Sequence, residues 1–158
     1  MYAFLFYSTM FKALENFANI IKSEFAEPFE EQPWNNFFQS TVSFLTQPSL
    51  QLESLPPRTR KYLIRNYGDM RCKASELVRL MWFSLGESKR IRFVPTMVGP
   101  FLDMAFVPQQ EVRKSTIPIF FDMMHCEFDH GQKHELSRSF EKVCTTVAFS
   151  SATLILEL

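Results

Sequence analysis

Glycine is nearly absent, with four residues in a chain of 158. Antiparallel sandwiches and barrels need many tight turns, and nucleotide-binding βα folds need Gly-rich loops. The scarcity therefore points to helices joined by Pro and polar turns. Cysteine is scarce too. Cys72, Cys126 and Cys144 are odd in number, widely spaced and form no Cys-x-x-Cys pair, which argues against a disulfide scaffold and fits a reducing cytosol. No Asn-x-Ser/Thr acceptor occurs. Long apolar runs are missing: the segment from Met1 to Tyr7 lacks a cationic leader and a small-residue cleavage site, and Val143 to Leu158 is broken by Thr, Ser and Glu157. Neither makes a signal peptide or reaches the roughly 18 apolar residues of a membrane span. Net charge is zero, which argues against a dedicated nucleic-acid binder. The chain has no Gly-x-x-x-x-Gly-Lys loop, no Gly-x-Ser-x-Gly elbow and no Cys with a base at motif spacing, so no catalytic residue and no cofactor are assigned.

What is present is apolar mass. Hydrophobic residues make up 46% of the chain and Phe alone occurs 18 times, a composition that excludes a disordered chain and implies a packed core. From Ser8 to Phe25, Phe11, Leu14, Phe17, Ala18, Ile21 and Phe25 recur at three and four, the period of a buried helix face. A second helix from Pro33 to about Thr46 offers Trp34, Phe37, Phe38, Val42, Phe44 and Leu45, enough for contact on two sides, and Pro48 stops it. A loop through Leu55, Pro56 and Pro57 leads into a basic helix from Arg58 to about Tyr67, broken at Gly68. Asp69 then caps a helix carrying Met70, Ala74, Leu77, Val78, Met81 and Leu85, with Gly86 as its left-handed end. Two more start near Pro95, with Met97, Val98, Phe101, Leu102 and Ala105, and near Gln109, with Val112, Ile117, Phe120, Phe121 and Met124. Gly99, Pro100 and Pro118 fall inside these stretches and predict kinks. No repeat is legible residue by residue. Five to six helices with short connections still predict an all-α fold, a bundle or an armadillo-like or TPR-like α-α solenoid.

Three groups of residues are candidates for function. Between Arg58 and Arg92, ten Lys or Arg stand against Asp69, Glu76 and Glu87, leaving the rest of the chain with an equal excess of acid. Arg58, Arg60, Lys61, Arg65, Lys89, Arg90 and Arg92 are therefore candidate contacts for an acidic protein face or anionic lipid. A charge run is also the ordinary wet side of helices. The second group is His125-Cys126-Glu127-Phe128-Asp129-His130 with His134, of which Cys126, His130 and His134 form a set that zinc accepts. Its spacing matches no known zinc motif, and solvated polar residues at a helix end, with Gly131 in the loop beyond, explain it as well. No metal is assigned. The third group, Phe120, Phe121, Met123 and Met124, reads as packing surface rather than a cofactor box.

Three stretches carry more than their periods. Pro-Trp-Asn-Asn-Phe-Phe (33–38) running into Val-Ser-Phe-Leu-Thr-Gln-Pro-Ser-Leu-Gln-Leu-Glu (42–53) resembles the Rac-directed branch of the DOCK (dedicator of cytokinesis) family. So do Asn-Tyr-Gly-Asp-Met-Arg (66–71) with Met-Trp-Phe-Ser-Leu-Gly (81–86), and Phe-Val-Pro-Thr-Met-Val-Gly-Pro-Phe-Leu-Asp-Met (93–104) continued by 111–128. The resemblance covers about Thr9 to Asp129, with scattered similarity to about Lys142. It implies the helical-repeat section between a C2-like lipid-binding domain and the catalytic DOCKER domain, in a parent that promotes GDP release from Rac, often with an ELMO partner, in migration and engulfment. By the same resemblance the chain divides into a helical-repeat segment, 9–142, and a divergent tail, 143–158. It reads as a piece cut at both ends, from a truncated gene model or short splice form. The expectation is a scaffold segment that is not an enzyme by itself, cytoplasmic and recruited to membranes, with the neighbouring domains, Rac and ELMO as partners of the whole protein.

Overall fold

The computed structural model describes residues 2–131, with side-chain surroundings for 4–129. Seven helices follow one another: α1 (Tyr2–Glu24), α2 (Glu31–Leu45), α3 (Pro57–Tyr67), α4 (Met70–Ser84), α5 (Glu87–Arg90), α6 (Val94–Ala105) and α7 (Gln110–Gly131). Two 3-10 turns, Pro48–Leu50 and Leu52–Ser54, connect α2 to α3, and no strand occurs among the described residues. The fold is an all-α helical repeat. Its helix count exceeds the expected five to six because α5 is a single turn, too short to leave a period in the sequence.

Helix ends follow the local chemistry, with three corrections. Asp69 caps α4 as expected, its side chain accepting from the Arg71 N–H. Gly68 ends α3 at φ 71 and ψ 179, a conformation reserved for glycine, and its N–H donates to the Ile64 carbonyl at 2.9 Å. Gly86, expected as a left-handed end, sits instead at φ −66 and ψ 152, because α4 stops at Ser84 and Gly86 opens α5. Gly131 is the last residue of α7 rather than part of a loop beyond it. The first helix begins at Tyr2 rather than Ser8. Phe4 in that added stretch is buried, and Tyr7 packs edge-on against Phe44 with ring centroids 6.1 Å apart. Pro100 and Pro118 lie inside helices that continue past them; each forfeits one backbone hydrogen bond without ending its helix.

The core is organised around α2 and α4. Helix α2 contacts α1, α4 and α6, and α4 contacts α1, α2 and α7, which explains why α2 is apolar on more than one side. Phe38, fully buried, meets Trp82 of α4, Phe93 at the start of α6 and Phe101 of α6 edge-on, at centroid separations of 6.0, 5.9 and 5.8 Å. Each such ring contributes about 1.5–3 kcal/mol through burial, and edge-to-face pairs add to that. Buried hydroxyls are satisfied within their own helices, Thr41 donating to the Phe37 carbonyl at 2.8 Å and Thr116 to that of Val112 at 2.7 Å.

Helix α7 turns a different face inward from the one its apolar spacing predicts. Val112, Thr116, Ile119, Met123 and Cys126 are buried, whereas Ile117 and Phe121 are 52% and 58% exposed. Apolar residues run almost unbroken from 117 to 124, so period alone could not choose between faces. Asp122 decides the rotation, since its carboxylate is held by Trp82 and Arg90. Of the residues expected to form packing surface, Met123 is buried, Phe120 and Met124 are half-buried, and Phe121 is exposed.

Candidate functional site

Four regions gather the polar chemistry. Arg71, in the first turn of α4, is 1% exposed, an extreme position for a permanent charge. Its Nη1 donates to Gln51 Oε1 at 2.9 Å and to Glu53 Oε2 at 2.7 Å; Nη2 donates to Glu53 Oε1 at 3.0 Å and to Asp69 Oδ2 at 2.8 Å. Asp69 also accepts from Gln109 Nε2 at 3.0 Å. One guanidinium thus ties the 3-10 connection to the start of α4, with Asp69 extending the tie to the loop before α7, the fork geometry that suits arginine and not lysine. Hydrogen bonds from Arg71 hold the Glu53 carboxyl below its usual 4.5. Burial pushes the Asp69 carboxyl up, but Arg71 and Gln109 outweigh it and leave it below 3.8.

The second and third regions absorb the expected cations at 89–92. Asp122 accepts from Trp82 Nε1 at 2.8 Å and pairs with Arg90, both partners less than a fifth exposed. Cys126 Sγ lies 3.8 Å from the same carboxylate. The turn joining α1 to α2 is clamped from α5: Lys89 Nζ donates to the Ala26 carbonyl at 3.1 Å and stands 4.9 Å from the Phe29 ring centroid. Arg92 lies over the same ring at 5.7 Å and pairs with Glu31 at 2.7 Å. The Trp34 indole donates to the Phe25 carbonyl at 3.1 Å and closes the turn from the other side.

The fourth region is different. Helix α3 carries Arg58, Arg60, Lys61 and Arg65 and no acidic residue. Leu63 is its one buried side chain, and α1 is the helix it chiefly touches. Among the described residues none of these four cations has an ion-pair partner, and the nearest acids in sequence, Glu53 and Asp69, are engaged by Arg71. Pro57, Arg60, Lys61, Ile64 and Arg65 line an open trough along the helix. The seven cations therefore do not form one site. Three find partners on other elements of the fold, and four stand together on α3 with no ion-pair partner among the described residues.

A family profile described as "Dedicator of cytokinesis (DOCK) TPR region" matches residues 3–147, most of the chain. The chain belongs to the dedicator of cytokinesis family. Dedicator of cytokinesis protein 3 from Mus musculus is 48% identical over 99 residues, which are 63% of this chain and 5% of the relative. The same protein from Homo sapiens aligns equally, and dedicator of cytokinesis protein 4 from Homo sapiens is 41% identical over 101 residues. The chain therefore spans only about one twentieth of the length of these curated relatives. The match falls on the TPR region of the family and not on a catalytic domain.

In this family member the remaining sequence candidates separate as well. Cys126 is 2% exposed, and burial together with the Asp122 charge pushes its thiol up to about 11, so the thiolate that a metal needs is disfavoured. Cys72 is pushed up to about 11 in the same way, by burial and then by Asp69. His125 faces solvent, while the side chains of His130 and His134 lie outside the described residues. Among the described residues no three His, Cys, Asp or Glu side chains gather to hold a metal. No helix among them is long and apolar enough to cross a membrane. Sequence reasoning passed over Arg71 and Asp122, two charged residues that bridge elements of the fold. The signal for the first was the Asp-x-Arg of 69–71, in which a capping carboxylate precedes a guanidinium by two positions. Asp122 left no comparable signal.

Proposed function

We propose that this chain is a non-catalytic helical scaffold within a guanine-nucleotide exchange factor for Rac-type small GTPases, setting the separation between the parent's lipid-binding and catalytic domains. Family membership supports the exchange-factor half of this reading. One structural observation supports the scaffold half: α1 and α7 are apolar on two faces. Helix α1 turns Phe4, Phe11, Ala18 and Ile21 inward, yet Leu5, Phe6, Met10 and Ile20 are 57, 61, 39 and 49% exposed. Helix α7 repeats the arrangement with Ile117, Phe121 and Phe128 outward. Helices with two apolar faces are what a stack of repeats requires, since each repeat buries its surface on the next. The internal ion pairs agree with this, because Arg71 and Asp122 join one element to another. In the whole protein, Rac and an ELMO partner would bind elsewhere, and the protein would work in the cytoplasm with recruitment to the membrane.

Release of a fluorescent GDP from purified Rac tests the reading. The 158-residue chain is expected to leave the release rate at its spontaneous value while the full-length parent accelerates it. Acceleration by the chain alone would overturn the non-catalytic assignment. An inactive full-length parent would overturn the exchange-factor assignment.

A further inference from the structure

Helix α3 is over-provided with charge for a structural element. It is capped by Pro57 in its first turn and Gly68 at its end, so it is preformed. Yet Leu63 is its one buried side chain, joined at the helix end by Tyr67 packed against Phe4. Pro57, Arg60, Lys61, Ile64 and Arg65 recur at three and four, one stripe of a helix, with Ile64 45% exposed among the cations. The Nε of Arg60 is shielded and has no acceptor among the described residues. Tyr62, 51% exposed, and Arg58 flank the stripe. Cations interleaved with apolar and aromatic side chains on one helix face make the composition of an interfacial helix.

We propose that this outward face of α3 docks on an anionic lipid bilayer. A bilayer fits better than an acidic protein segment because, among the described residues, the trough has no second wall. The described residues lining it all come from α3, so the face is open, whereas an amphipathic peptide needs a groove between two elements. A planar sheet of negative headgroups meets an open face without shape complementarity, and the apolar stems of Arg60 and Lys61 settle beside Ile64 as their charged ends spread to the phosphates. The four cations set the scale of the attraction, and it weakens with salt as the Debye length shortens. This proposal stands apart from the exchange-factor reading and survives its failure.

Co-sedimentation of the whole chain with vesicles is the test. The chain is expected to pellet with phosphatidylserine mixed into phosphatidylcholine and to stay in solution with phosphatidylcholine alone. The triple variant R58E, K61E and R65E should lose on the order of a hundredfold in partition. R58Q, K61Q and R65Q, which adds no repulsion, should lose most of it too. The variant K12E, K22E and K114E reverses three exposed lysines on α1 and α7 with the same change in net charge, and is expected to keep most of the binding. Equal loss in both reversed triples would overturn the assignment to α3. Equal pelleting with both vesicle types, or none with either, would overturn the bilayer. So would a wild-type chain that ignores vesicles but binds a polyglutamate peptide through Arg58, Lys61 and Arg65.

Discussion

Lys89, Arg90 and Arg92 lie in and just after a helix of one turn, and Arg58, Arg60, Lys61 and Arg65 on a helix of three, and in the sequence the two groups look alike. In the fold they are opposites. Each cation of the α5 group has an anion, a carbonyl or a ring to meet: Ala26 and Phe29 for Lys89, Asp122 for Arg90, Glu31 and Phe29 for Arg92. The α3 group has none among the described residues. Charge density therefore does not mark a binding surface by itself; the deciding fact is whether the fold supplies counter-charges from other elements. Arg71 is the limiting case of the internal kind, with two carboxylates and an amide around one buried guanidinium.

The largest effect is expected at Arg71. Arg71→Ala strands Asp69 against Gln109 and removes the tie between the 3-10 connection and α4, at a cost of about 3–5 kcal/mol in urea unfolding. The same cluster sets an acid limb. Glu53 and Asp69 titrate below their ordinary values in the folded chain. They stabilise it fully above the unfolded carboxylate range, and the contribution is lost as pH falls from about 4.5 down through the lowered values. Thermal unfolding across that window should show a shallower slope in the Arg71→Ala variant than in the parent chain.

Asp122 comes next. Asp122→Ala leaves Arg90 without its anion and the Trp82 indole without its acceptor, and should cost about 2–3 kcal/mol, read by denaturant midpoint. Arg92→Ala loses a pair whose two members are about half exposed and one contact to Phe29. Its cost should stay near 0.5–1 kcal/mol in the same measurement. An Arg92 effect as large as that at Asp122 would mean that the turn before α2 depends on α5 more heavily than these contacts allow.

Much of the architecture was legible because the signals were local. Asp69 before Met70 and Gly68 after Tyr67 gave both ends of the α3–α4 junction, and the spacing of Trp34, Phe37, Phe38, Val42 and Leu45 gave the multi-sided core of α2. What was not legible depends on partners distant in sequence. The buried face of α7 is chosen by Asp122 reaching Trp82 and Arg90, 40 and 32 residues away. Gly86 was misassigned because nothing local distinguishes a glycine that ends one helix from one that opens the next. For the candidate surface, the sequence offered seven cations as one group, and only the contacts of α5 divided them.

The most direct test of that division reverses each group in turn and compares urea unfolding. K89E, R90E and R92E should destabilise the chain by about 3 kcal/mol or more, since three internal contacts become repulsive or are lost. R58E, K61E and R65E should leave stability within about 0.5 kcal/mol of the parent, as for exposed side chains without partners. Equal losses in the two variants would contradict the account, because the α3 cations would then be holding the fold together as the α5 cations do.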